Sequence, residues 1–129
     1  MTATRHEATS PEEVLERFAE LMGRGELEAA LALYEEEAAF VPEPGKLVHG
    51  KAAIGAALEA FVALSPTLTG TIEKVVPAGD TALVINSWEL KGTDPEGNEV
   101  AMGAKSADVL RRQADGTWRI LIDDPWGGG

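Results

Sequence analysis

The sequence contains no cysteine, which excludes a disulfide framework, a thiol nucleophile and a thiolate metal site. Histidine is nearly as scarce. His6 and His49 are the only two, too few for a His-rich metal centre, so neither a metal nor any other cofactor is expected. Basic residues are outnumbered, with 11 Lys and Arg against 22 Asp and Glu, a net charge of -11 and a pI near 4.5. Phosphate backbones and anionic headgroups are held by clustered Lys and Arg, so neither nucleic acid nor a membrane surface is an expected partner. No apolar run approaches the roughly 20 residues of a membrane span, and the opening MTATRHEATS lacks a signal-peptide core, so a cytoplasmic protein is expected. The nucleophile elbow GxSxG and the phosphate loops GxxxxGK[ST] and GxGxxG are also missing.

What is present is the patterning of one soluble domain. With 129 residues, 44% apolar and 26% charged, the chain is long enough for a single core and too short for two. Residues 1–9 are polar and aperiodic, which predicts a flexible tail. Ser10-Pro11-Glu12-Glu13 then combines a hydroxyl N-cap, a proline at the first helical position and a glutamate at the third. Val14, Leu15, Phe18, Leu21 and Met22 continue as one stripe of a 3.6-residue period until Gly23-Arg24-Gly25. A second helix is expected with Leu27, Ala30, Leu31 and Tyr34 on one face, followed by a short strand, Ala39–Val41, cut off by Pro42 and Pro44. Another extended piece, Leu47–His49, leads to Gly50, and Ile54, Leu58, Phe61 and Val62 mark a third helix that Ser65-Pro66 stops.

Everything beyond reads as strand. Leu68–Val76, Thr81–Leu90, Val100–Arg112 and Thr117–Asp123 are separated by the turn clusters Pro77-Ala78-Gly79-Asp80, Thr93–Asn98 and Ala114-Asp115-Gly116. Links so short require antiparallel neighbours. The predicted class is α+β, three N-terminal helices packed on a curved antiparallel sheet that encloses a pocket, spanning 10–126, with 127–129 a flexible glycine tail. Leu83 and Ile85 oppose Val84 and Trp88 in parity, so both sheet faces carry apolar residues and a homodimer is expected to cover the outer one.

Three stretches, VLERFAELMGRGELEAALALYEEEAAFVPEPG, HGKAAIGAALEAF and DVLRRQADGTWRILIDDPWG, in this order and spacing, resemble the nuclear transport factor 2-like superfamily, in its SnoaL-like and ketosteroid-isomerase-like branch. The resemblance covers nearly the whole chain and implies a cystatin-like cone with a pocket between helices and sheet. The superfamily hosts isomerases, cyclases, dehydratases, epoxide hydrolases and non-catalytic binders, so the fold does not fix the reaction. The isomerase branch uses a carboxylate base just after the first strand, a tyrosine on helix 1 and a protonated aspartate on a later strand. Those positions fall at Pro42, beside Glu43, at Phe18 and at Asp108. Only the last matches, so steroid isomerisation itself is not implied. The Asp-Arg-Asp cluster of the epoxide hydrolases has a conceivable counterpart in Asp108 with Arg111 or Asp123.

If the chain is an enzyme, acid–base chemistry without a cofactor is the expected type; a non-catalytic binding protein and a dimerisation or interaction module are the alternatives. Asp108, in SADVL, places a carboxyl among apolar strand neighbours, where burial raises the pKa and allows donation to a developing oxyanion. Asp123 and Asp124 close the last strand, and alternation turns one of the two inward without saying which. Glu43 is a base candidate if the PEPG turn aims it inward. The expected pocket comprises Phe18, Met22, Tyr34, Phe40, Leu58, Phe61, Asn86, Trp88 and Met102, an apolar wall with few polar tips that suits a small hydrophobic molecule. Trp118 and Trp126 are read as packing residues, the latter pinning the tail over an open edge. Catalysis requires two carboxyls, or one with Tyr34, in the same cavity; a binding protein needs one polar anchor, and an interaction module needs no open cavity.

Overall fold

The computed structural model describes residues 8–128, so residues 1–7 of the expected tail, and Gly129, lie outside the described residues. In chain order the elements are α1 (Pro11–Gly23), α2 (Leu27–Leu31), β1 (Tyr34–Glu43), β2 (Lys46–His49), α3 (Lys51–Val62), β3 (Thr67–Ala78), β4 (Thr81–Thr93), β5 (Glu99–Arg112) and β6 (Trp118–Asp124). The start of α1 follows its sequence signal. Ser10 caps the helix by accepting from the Glu13 N–H at 3.2 Å. The Glu13 carboxylate reaches one residue further back than a standard capping box, accepting from the N–H and hydroxyl of Thr9. Ala8 and Thr9 therefore belong to the folded body, and the Trp118 N–H is bonded to the Ala8 carbonyl.

Two elements differ from the sequence expectation. Helix α2 ends at Leu31, and Tyr34 opens β1 instead of extending the helical stripe. The Ile120 N–H donates to the Leu33 carbonyl at 2.8 Å, so pairing with the last strand overrides the local helical spacing. Strand β1 is also long, running through Pro42. The proline is tolerated because the ladder with β2 is irregular between Phe40 and Glu43, where no backbone N–H is demanded.

The six strands form one sheet in the order β2-β1-β6-β5-β4-β3. It is mixed and not purely antiparallel: β6 enters between β5 and β1 and runs parallel to β1. The chain between those two strands contains a helix and four strands, ample for the crossover that a parallel pair needs. The register between β5 and β6 shifts where Val109 and Leu110 meet Ile122 and Ile120, leaving Leu121 as the extra residue of a bulge. Bulges of this kind bend a sheet and increase its twist.

The three helices cover one face. Val14, Leu21 and Met22 of α1, Ile54 and Leu58 of α3, and Tyr34, Phe40, Val84, Leu110 and Ile120 of the sheet make one buried cluster. Where the chain leaves α3 it crosses β4 so closely that a Cβ on Gly92 would lie 2.4 Å from the Leu64 carbonyl oxygen, and the Thr93 N–H donates to that same oxygen. Gly127 and Gly128, expected to be a loose tail, form a turn bonded to the carbonyls of Asp124 and Lys105. No helix among the described residues is long and apolar enough to cross a membrane.

Candidate functional site

Between the helices and the sheet lies a cavity of about 430 Å³. Phe18 and Met22 come to it from α1, Leu58 and Phe61 from α3, Phe40 and Pro42 from β1, and Asn86 and Trp88 from β4. Its end is closed by the segment after β6. Trp126 packs edge-on against Trp88 with ring centroids 5.2 Å apart, the Trp126 N–H donates to the Pro42 carbonyl, and the Trp88 N–H donates to the Pro125 carbonyl.

The polar part of the wall is small and concentrated. Asp108 and Asp123 face each other across β5 and β6, both line the cavity, and they are only 2% and 9% exposed. The bulge at Leu121 decides which of the two terminal aspartates is inward. Ile120 faces the core; simple alternation from there would turn Asp124 inward and Asp123 out, and the extra residue reverses this. Asp124 instead accepts from the backbone N–H of Trp126 and helps to form the closing turn.

The hydroxyl of Tyr34 donates to Asp123 Oδ2 at 2.6 Å, and that of Ser106 to Asp108 Oδ2 at 2.8 Å. Tyr34 is fully buried behind Asp123 and does not line the cavity, with Phe18 edge-on to its ring at 5.9 Å. Asp108 Oδ1 and Asn86 Oδ1 are buried without any protein donor.

Burial pushes the Asp108 carboxyl well above the usual carboxylate range, and the charge of Asp123 acts in the same direction. Burial also raises Asp123, but hydrogen bonds from Asp108 and Tyr34 hold it down. The Tyr34 phenol is pushed up by burial and then by the Asp123 charge, so it stays a donor. Two carboxyls this close cannot both ionise cheaply. Both carboxyls are raised, Asp108 the more strongly, which favours a proton on the pair and Asp108 as its carrier.

Several anticipated residues stand elsewhere. Glu43 is exposed, because Pro42 takes the inward position of β1 and alternation turns its neighbour out. Met102 lies two residues beyond Ala104, against Leu90 in a shallow groove at the far end of the β4–β5 hairpin. Arg111 is paired with Glu35 and does not join the aspartates. Ser106 was not singled out in the sequence, although its place two residues before Asp108 puts both on one strand face. Among the described residues no group of His, Cys, Asp and Glu is arranged to hold a metal ion.

The SnoaL-like domain profile matches residues 15–120. The chain belongs to the SnoaL-like family. This SnoaL-like chain is similar to a protein of Kribbella flavida at 17% identity and a TM-score of 0.78, covering 89% of this chain and 86% of that one. A ketosteroid isomerase-like protein of Erwinia carotovora atroseptica shares 21% identity at a TM-score of 0.74, with 87% and 88% covered. A nuclear transport factor 2-like protein with a cystatin-like fold from Novosphingobium aromaticivorans shares 21% at 0.72, with 86% and 75% covered. Likeness at these identities shows the fold alone, the cystatin-like fold of nuclear transport factor 2-like proteins. No curated protein matches the chain in sequence.

The raised Asp108 pKa has a thermodynamic consequence. A carboxyl with a higher pKa in the folded than in the unfolded state contributes stability at low pH that is lost as the pH rises toward its folded value. The unfolded carboxyl ionises at about 3.9, and above it the loss is about 1.4 kcal/mol per pH unit for one group. Asp108→Asn removes that loss. Urea unfolding from pH 4 to 8 should therefore show the variant gaining on the wild type as pH rises; parallel curves would mean that Asp108 is ionised in the fold.

Proposed function

We propose that this SnoaL-like protein is a cofactor-free acid–base enzyme acting on a small, largely apolar carbonyl compound. The observation that carries the reading is the pair of buried carboxyls, Asp108 and Asp123, side by side in the wall of a largely apolar cavity. A binding protein has no need of two carboxyls whose joint burial costs stability, whereas proton transfer at carbon needs a base and an acid close together. The volume, about 430 Å³, lies within the range of small-molecule sites.

In the proposed reaction the Asp123 carboxylate takes a proton from the carbon next to the carbonyl, while the Asp108 carboxyl gives its own to the carbonyl oxygen. An enol forms with no net change of charge. Where the substrate carries a β,γ double bond the enol is a dienol, and transfer of the Asp123 proton to its far carbon, with the enol proton returning to Asp108, isomerises the substrate; attack by the enol carbon on an internal electrophile, with the same return of the enol proton, closes a ring. Tyr34, donating to Asp123 from behind, positions the base; Ser106 does the same for the acid.

The outer face of the sheet supports a second assignment, a homodimer. Val76, Leu83, Val109, Ile122 and Ala39 are successive cross-strand partners over five strands. Val76, Leu83 and Ile122 are 43%, 39% and 41% exposed, and a row of this kind is the sort of patch that a partner covers. Sedimentation at micromolar concentration is expected to show a dimer that Leu83→Lys dissociates; a monomeric wild type sinks the assignment.

Exchange in D2O tests the chemistry without knowledge of the natural substrate. Bicyclic and polycyclic ketones that raise the melting temperature are incubated with the protein, and loss of the α-proton signal is followed by NMR. At 100 times its dissociation constant a ligand stabilises the fold by about 2.7 kcal/mol, a shift of several degrees. The wild type should accelerate exchange, and Asp123→Asn should lose about a hundredfold or more of that acceleration. Ligands that bind with no exchange above the buffer rate would make the protein a binder.

A further inference from the structure

The segment that follows β6 crosses one end of the cavity. In the sheet, β1 and β4 are separated by β6 and β5. Pro125 and Trp126 connect them across that gap: the Trp88 indole N–H of β4 donates to the Pro125 carbonyl at 2.7 Å, and the Trp126 indole N–H donates to the Pro42 carbonyl of β1 at 3.3 Å. The crossing bar is therefore tied at both ends to strands that do not pair with each other.

Two further bonds fix its level. The Trp126 backbone N–H donates to the Asp124 carboxylate, and the Gly128 N–H donates to the Lys105 carbonyl, taking up the edge of β5 just beyond the point, Ala107, where β6 leaves it. A Cβ on Gly128 would lie 2.5 Å from the Ser106 carbonyl oxygen, so only glycine lets the segment lie this close to β5. With both indole N–H groups engaged, Trp88 and Trp126 present ring carbon to the cavity.

The depth under this bar follows from the register. Val84 faces Asp108 and Trp88 faces Ala104 in the β4–β5 ladder, four residues apart on each strand, and Trp126 stands against Trp88 with ring centroids 5.2 Å apart. At about 3.3 Å per residue, the layer of Asp108 and the layer of the two indoles are about 13 Å apart. A contact distance of about 3.5 Å at each end leaves about 6 Å between the terminal atoms of a ligand, the length of two fused six-membered rings. We infer that Trp126 is a specificity-determining residue, the wall that limits the ligand to a rigid apolar ketone of about two fused rings. The inference rests on the reading given above, because it places the ketone at the carboxyl pair.

The probes are tetralone and its linear benzo-homologue, which adds a third ring at the end away from the carbonyl. Their affinities are measured by calorimetry for the wild type, Trp126→Phe and Trp126→Ala. A larger apolar area otherwise favours binding, so a wall shows as an inverted order. The wild type should bind the three-ring ketone about tenfold more weakly than tetralone, and Trp126→Phe, which keeps an aromatic ring in place, should preserve that order. Trp126→Ala should bind the three-ring ketone at least as tightly as tetralone. Where Trp126→Ala does not fold, Trp126→Val gives the same reading. A wild type that binds both ketones equally well, an order that Trp126→Ala leaves unchanged, or failure of both ketones to bind any of these proteins would each overturn the inference. Exchange of the tetralone α-protons in D2O, followed on the same samples, judges the acid–base step separately. A length limit without exchange sinks that step and leaves the wall; exchange without a length limit does the reverse.

Discussion

The structure depends on burying two carboxyls next to each other. Asp108 and Asp123 sit opposite one another on adjacent strands, inside a wall made mostly of apolar side chains with Glu16, Thr69, Asn86 and Ser106 as its other polar members. Removing two charges from water in this way is unfavourable by several kcal/mol per ion. The upward push on both carboxyls favours a proton on the pair, which would lower the cost to one charge, and the Tyr34 hydroxyl at 2.6 Å meets Asp123 from the core side. Tyr34 is in turn fixed by its position at the start of β1, beside the last strand. Fold and site are therefore coupled: the strand that inserts between β1 and β5 delivers Asp123, and the first residue of β1 holds it.

Insertion of β6 makes the sheet mixed, and the bulge at Leu121 sets the direction of everything after it. Asp123 turns to the cavity, Asp124 turns out to cap the closing turn, and Pro125-Trp126 fold back over the open end. The indole of Trp126 and the amide of Asn86 then define the space beyond the aspartates.

Much of the architecture was legible in the sequence, for physical reasons that can be named. The Ser10-Pro11 start, the stripe from Val14 to Met22 and the stripe from Ile54 to Val62 are local signals, and the helices follow them. The turn clusters at Gly79, Gly97 and Gly116 mark the hairpins because each takes a positive φ. The errors arose where distant chain segments decide. Tyr34 has helical spacing to Leu27 and Leu31, but pairing with Ile120, far along the chain, draws it into a strand. A single inserted residue at Leu121 reverses parity and leaves no mark in composition, so Asp123 and Asp124 were indistinguishable. Glu43 and Met102 were misplaced for the complementary reason: a residue type suited to a site does not reveal which way a strand residue points or how far the cavity extends. Asp108 stood out because a carboxyl among Ala, Val and Leu on a strand is unusual, whatever its role.

The sharing of one proton between Asp108 and Asp123 is the claim on which the account turns, and carboxyl 13C NMR of the two side chains, followed across pH in the ligand-free protein, tests it most directly. The account predicts two separated titration steps, with the carboxyl of Asp108 still protonated at neutral pH and that of Asp123 ionised. Two independent titrations near the ordinary aspartate value of about 3.9 would contradict it.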